Sequence, residues 1–163
     1  MADSEGFTIT RTVNAPRERV WQAWTDPQLL KQWWGPKGVT IASCTLDLRP
    51  GGIFHYCMRT PGAGDMWGKF TYREVVPPER LVFIVSFSDE KGGVTRHPLN
   101  VNWPLKTLST VTFTAHDGKT DVSINWVPHD PTPIERQTFD EGHASMQQGW
   151  GGTLDQLEAY LAA

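Results

Sequence analysis

No run of lysine or arginine interrupts this sequence, and its formal net charge is only -3 with a pI near 5.9. A chain so balanced has no general attraction for phosphate backbones or anionic lipid, so nucleic acid is not expected as a partner. Long apolar runs are missing too. No stretch approaches the roughly 20 residues that cross a bilayer, so membrane insertion is not expected. The opening MADSEGFTIT is acidic and polar and lacks the apolar segment of a secretory signal. Cysteine is scarce: Cys44 and Cys57 make neither a disulfide framework nor a C-x-x-C pair. They fall on neighbouring expected strands, which leaves open either a cross-strand bridge or two reduced thiols. The second fits the cytoplasmic location that these absences suggest.

Several chemistries are missing as well. His55, His97, His116, His129 and His143 show no ligand spacing such as H-E-x-x-H, and Gly62-x-Gly64 is a lone pair of glycines in a turn. G-x-S-x-G, the P-loop and the dinucleotide fingerprint do not occur. No metal, no cofactor and no catalytic set is therefore expected.

What the chain has is tryptophan, eight among 163 residues, in a sequence 39% apolar and 20% charged. That size and composition imply one globular domain, residues 1–163, with a sizeable core. FTITRTV alternates Phe7, Ile9 and Val13 against three threonines, the period of a half-buried strand. The period then changes. Asn14 suits a helix cap with Pro16 in the first turn, and Val20, Trp21 and Trp24 form an apolar stripe. Asp26-Pro27 restarts the count as cap and first helical residue. Gly35 and Pro36 then end the second helix directly after Trp33-Trp34. Neighbours on a helix diverge by ~100°, so one of these indoles packs inward and the other covers an end of any cavity, as a core plug or a stacking surface.

From residue 39 the sequence reads as about six antiparallel strands. VTIASCTLDLR and IFHYCMR flank Pro50-Gly51-Gly52, and KFTYREVV and RLVFIVSF flank Pro77-Pro78-Glu79. STVTFTAH and KTDVSINWV meet at Asp117-Gly118, the preferred pair for a type I′ hairpin. Counting outward from that turn pairs Ala115 with Thr120, Phe113 with Val122, Val111 with Ile124 and Ser109 with Trp126. Polar pairs fall between them, so one face is dry and one wet. Residues 88–107 form a long connection, either a lid carrying Trp103 between Pro98 and Pro104 or two extended strand ends. Phe139, His143, Met146, Trp150, Leu154, Leu157 and Leu161 then trace the apolar stripe of one long helix. Gly142, Gly149, Gly151 and Gly152 either let it approach the sheet closely or mark a kink.

NAPRERVWQAWTDPQLLKQWWGPKG, DLRPGGIFHYCM, G-x-F-x-Y-x-E-V-V-P-P-E-R-L-V-F and QGWGGTLDQLEAYLA, in that order, resemble the Hsp90 ATPase activator-like family. This is a branch of the START/Bet v 1-like (SRPBCC) superfamily, and the likeness runs from about residue 7 to the end. It implies an α+β helix-grip fold: a curved antiparallel sheet and two short helices wrapped around a long C-terminal helix, with a hydrophobic tunnel between. Co-chaperones of the family carry a further N-terminal domain for which nothing before Phe7 leaves room, so a chaperone partner is not expected.

Three functions fit that frame: a carrier of small hydrophobic or aromatic molecules, an enzyme of the polyketide cyclase or hydrolase kind, and an interaction module that stimulates an Hsp90-like ATPase. The first is preferred, because apolar lining residues are plentiful and no nucleophile–base pair is legible. The expected lining is Tyr56, Met58, Phe70, Phe83, Phe113, Trp126, His143, Met146 and Trp150, with Trp103 at the mouth. His143 reads either as a core histidine satisfied by a neighbour or as a ligand contact and proton donor. An exposed sheet edge offers a route to a homodimer.

Overall fold

A computed structural model describes residues 6–35, 38–62, 64–97 and 100–162, and eight strands and four helices lie among these described residues. Pro36 and Pro98, which carried parts of the sequence reading, lie outside those residues. Strand β1 (Phe7–Val13) is followed by helices α1 (Arg17–Thr25) and α2 (Pro27–Trp33). Next come β2 (Thr40–Leu46), β3 (Ile53–Thr60), β4 (Gly64–Val76), β5 (Arg80–Ser88), β6 (Val94–Thr95), β7 (Thr107–His116) and β8 (Lys119–Pro128). Six of these seven were expected; β6, two residues long, is added at the rim. Helices α3 (Pro133–Glu141) and α4 (His143–Ala162) complete the order.

The sheet runs β1-β8-β7-β5-β4-β3-β2, antiparallel throughout, with β6 beside β5. Every pair counted outward from Asp117-Gly118 is present in the β7–β8 ladder. Both turn residues have positive φ, 52° and 78°, the backbone that a type I′ turn demands. Register shifts between Ile41 and Ser43 and between Tyr72 and Glu74 bend two other strands.

Two expectations about helices are corrected. Asn14 does not cap α1. Pro16 occupies that position with extended backbone and no side-chain bond, which leaves Asn14 too early to reach the first free N–H groups. The C-terminal stripe is not one helix, because it breaks at Gly142, whose N–H turns back to the Phe139 carbonyl at 3.0 Å. Thr132 and Glu135 close a capping box at the start of α3, so the segment carries its own start signal. By contrast, Asp26 caps α2 as expected, accepting from the Gln28 N–H at 2.8 Å.

The dry face of the sheet looks onto α4. Leu154, Leu157 and Leu161 are buried there with Val111, Val122, Ile124 and Phe113, and α1 and α2 close one end with Trp21, Trp24 and Leu30. Burial at this scale is the main stabilising term. Helix α4 is also anchored by polar contacts. Arg11 of β1 donates to Asp155 at 2.8 Å and to Glu158 at 2.6 Å, and Gln156 donates to the carbonyls of Trp33 and Gly35.

Register also settles the thiols. Cys44 lies opposite Tyr56 and Cys57 opposite Ser43, so the two side chains leave opposite faces of the sheet and cannot bridge. Both are free. Among the described residues no helix is long and apolar enough to cross a membrane.

Candidate functional site

A cavity of about 240 Å³ remains where the sheet, the end of α2 and α4 fail to meet. Its geometry begins with the two adjacent tryptophans. Trp33, the last residue of α2, is 1% exposed, and its indole N–H donates to the Ala23 carbonyl at 2.9 Å. Trp34 has already left the helix (φ -66°, ψ 137°), and this bend, added to the helical rotation, turns its ring into the cavity wall. There it meets Tyr56 at 6.0 Å, Phe70 at 5.2 Å and Trp150 at 5.5 Å between ring centroids, all edge to face. Gly35 follows with φ of 103°, a conformation glycine adopts without strain, and also lines the space.

The sheet supplies the floor. Tyr56 and Met58 alternate inward on β3, and Tyr56 lies across Gly68 of β4, its partner in register. A Cβ at Gly68 would stand 2.7 Å from the Tyr56 hydroxyl oxygen, so this position must be bare. Burial pushes the Tyr56 phenol well above its ordinary pKa, with the Trp34 indole acting weakly the other way. The buried Tyr72 hydroxyl is raised for the same reason. Neither supplies a tyrosinate base at neutral pH. Val85, Ser86 and Phe87 of β5, Thr107 of β7 and Trp126 of β8 continue the wall, and Met146, Gly149, Trp150 and Thr153 of α4 form the roof. At Gly149 an added Cβ would meet nothing within 4 Å.

Among the described residues no charged side chain lines this space. The indole N–H groups of Trp126 and Trp150 are covered and meet no acceptor, and that of Trp34 is covered beside the Tyr56 hydroxyl. The site is thus apolar in surface as well as in composition.

Trp103 and Pro104 stand at the rim, and beyond them lies an open basin of about 580 Å³. Phe87, Trp103, Trp126 and Met146 belong to both spaces, so the basin abuts the inner cavity. Among the described residues its other side chains are polar: His97, Asn100, Thr138, Glu141 and Ser145. The His97 ring packs on Phe87 at 4.7 Å, and burial pushes its imidazole pKa down. The Trp103 ring rests on Phe139 at 5.7 Å and covers Gly142, where a Cβ would come within 3.2 Å of it. Arg96 holds this segment to α3 by donating to the Glu135 carboxylate and, at 3.4 Å, to the Trp103 carbonyl. Of the two readings of residues 88–107, β6 and its Gly92 turn realise the strand ends, while Trp103 still reaches the rim.

Of the expected lining, Tyr56, Met58, Trp103, Trp126, Met146 and Trp150 surround the cavity. Phe70, Phe83 and Phe113 do not. They share the dry face but lie where other rings fill the space: Phe83 stacks on Phe70 at 4.1 Å, and Trp21 and Trp24 cover Phe113 at 5.6 and 5.9 Å. His143 is also outside. As first residue of α4 it sits edge-on between Phe7 (5.9 Å) and Phe139 (5.6 Å), its Nε2 buried without a partner. It is not among the residues that line the cavity. The sequence reading left open which of Trp33 and Trp34 faces the cavity, and it is Trp34; Gly68 and Gly149 it missed as wall positions, although an isolated glycine inside a strand pattern is the usual sign of a close approach and Gly68 carried that sign.

One serine–histidine contact lies on the opposite face of the sheet. His55 Nε2 is 3.1 Å from Ser88 Oγ and 3.1 Å from the Asp89 carbonyl, and Ser88 donates to the same carbonyl at 3.0 Å. A carbonyl only accepts, so the His55 bond to it requires a proton on Nε2, and a ring in that tautomer offers Ser88 no base. The pair ties a strand end. Among the described residues no cluster of three His, Cys, Asp or Glu side chains is placed to hold a metal.

The model of the family described as Activator of Hsp90 ATPase homolog 1-like protein matches residues 14–162. No curated protein matches the chain in sequence. Among solved structures it is similar to a protein of Nitrosomonas europaea at 26% identity and TM-score 0.77, covering 99% of this chain and 96% of that one. A protein of Mycobacterium smegmatis is 28% identical with TM-score 0.77, over 99% and 93% of the two chains. A third, from Arthrobacter aurescens, is 25% identical with TM-score 0.79, over 98% and 87%.

Proposed function

Since the chain belongs to the Activator of Hsp90 ATPase homolog 1-like family, and since its fold keeps an apolar space unfilled, we propose that it binds a small hydrophobic or aromatic molecule between the sheet and α4. The observation that carries this reading is the cavity of about 240 Å³, walled by aromatic rings and methionines, with no charged side chain among the described residues that line it. Protein interiors are close-packed, and voids much larger than a water are few. Leaving one here forfeits dispersion contacts that a guest restores. Trp34, Tyr56, Met58, Trp126, Met146 and Trp150 are the contacts of that guest, and Trp103 stands where it enters. A cytoplasmic location accords with the two free thiols.

An acid–base role for His143 finds no support in its position, which removes the main argument for the enzyme reading. The test is native mass spectrometry and calorimetry on the whole chain against a panel of apolar compounds, with Gly149→Leu as control. A one-to-one guest lost in Gly149→Leu is the expected result. An empty protein that no member of the panel stabilises would sink the proposal.

A further inference from the structure

We infer that the cavity selects a compact two-ring aromatic molecule with an uncharged or amine polar substituent, and discriminates against carboxylates and acyl chains. This rests on the reading of the cavity as a binding site and goes further by fixing the chemistry of the guest.

Size is the first constraint. An apolar cavity of about 150 Å³ is enough for benzene. At about 240 Å³ the inner space is under-filled by one ring and matched by a fused pair, while four fused rings exceed it and must extend into the basin. Wall chemistry is the second. The rings of Trp34 and Trp150 meet at 65° and those of Trp126 and Trp150 at 82°, so planar surfaces face the space from several directions. Such walls favour a rigid planar guest, which makes offset and edge-to-face contacts at little entropic cost. Met58 and Met146 add polarizable sulfur of the kind that packs on aromatic edges.

Charge is the third. A carboxylate drawn inside would find no cation among the described residues, and the indole N–H groups of the wall are covered and offer it no hydrogen bond. An isolated buried carboxylate is strongly disfavoured. Nor does the outer basin rescue it, since Glu141 brings a negative charge there, burial disfavours a protonated His97 and, among the described residues, no lysine or arginine lines it. Asn100, Thr138 and Ser145 can pair with a hydroxyl, an amide or an amine, none of which Glu141 repels as it does a carboxylate. The guest therefore lies with its rings inside and its polar end past Trp103, in the basin.

The test uses the whole chain at neutral pH, with tryptophan fluorescence and calorimetry on phenol, 2-naphthol, 2-(aminomethyl)naphthalene, 2-naphthoate, 1-hydroxypyrene, dodecanoate and 1-dodecanol. 2-Naphthol and 2-(aminomethyl)naphthalene are expected to bind one to one. Phenol and 2-naphthoate should bind at least about tenfold more weakly, hydroxypyrene and the two chain compounds more weakly still, and Gly149→Leu should abolish the signal. Naphthoate or dodecanoate binding as tightly as 2-naphthol overturns the inference. So does binding of dodecanol or hydroxypyrene in preference to the two-ring compounds, although a loss in Gly149→Leu would then still leave the cavity as a binding site. If no compound binds, the binding reading itself falls.

Discussion

The side-chain amide of Gln156, at mid-height on α4, donates to the main-chain carbonyl of Gly35 at 2.8 Å and reaches that of Trp33 at 3.4 Å. One residue thus sets the distance between the C-terminal helix and the segment that aims Trp34. Gln156→Leu is expected to lower stability by about 1–2 kcal/mol, the cost of leaving partly buried carbonyls without a donor. Urea unfolding measures it. Binding of an apolar probe should weaken alongside, since Trp34 loses its fixed seat; a variant with unchanged stability and binding would show the tether to be idle.

Gly149→Leu should behave in the opposite way on stability. The missing side chain faces open space, and a helix interior gains roughly 0.8 kcal/mol when leucine replaces glycine. A melting temperature equal to or a few degrees above that of the parent is expected, with probe binding gone. A fall in melting temperature would mean that the space is not open.

At Gly68 the same kind of change is harmful. A Cβ there collides with the Tyr56 ring, with 2.7 Å to the hydroxyl oxygen and 2.8 Å to the carbon that bears it. Gly68→Ala should cost about 1–3 kcal/mol by overpacking and should push Tyr56 into the cavity. Thermal melts and probe titrations compared with Gly149→Leu separate a blocked site from a distorted floor.

His143→Phe should leave binding untouched. The ring keeps its edge contacts with Phe7 and Phe139, and a buried nitrogen without a partner disappears. Stability should hold or rise by up to about 1 kcal/mol. Weakened probe affinity at constant melting temperature would return His143 to the site.

Glu135 predicts a pH dependence. Its burial alone would raise the carboxyl pKa. The Arg96 guanidinium and the N–H groups of Thr132 and Leu105 outweigh that and hold it below the ordinary range. The folded state therefore gives up this proton more readily than the unfolded one. The resulting stability is complete above the unfolded value near 4.5 and is lost as pH falls through the lower folded value. Glu135→Gln should cost about 1–3 kcal/mol at neutral pH. The gap to the parent should narrow in denaturant melts taken through the acid range, and a constant gap would show that the carboxylate charge contributes nothing.

The sequence was most legible where two local signals agreed. Asp117-Gly118 specified a turn, the flanking residues alternated, and the ladder that resulted could be counted pair by pair. The broken C-terminal helix was harder to read, because the stripe from Phe139 to Leu161 keeps helical spacing straight through Gly142 and the interruption costs only one turn of backbone. For the cavity, alternation told which face Tyr56, Phe70, Phe83 and Phe113 share but not how far along the strands the helices cover it. That depth is set by where Trp21, Trp24 and Trp34 come to rest, a matter of tertiary packing that no spacing encodes. His143 shows the same limit, since its place on the stripe is right and its neighbours close it off.

Five of the tryptophans, Trp24, Trp33, Trp34, Trp126 and Trp150, form a connected chain with 4.9 to 6.3 Å between successive ring centroids. At such separations electronic excitation migrates among indoles before it is emitted, so the group shines as one lamp. A single quenching guest beside Trp150 would darken all five. Replacing tryptophans one at a time would consequently dim the lamp without telling where the guest lies, and its position must be mapped from the dark residues of the wall, Met58, Gly68 and Gly149.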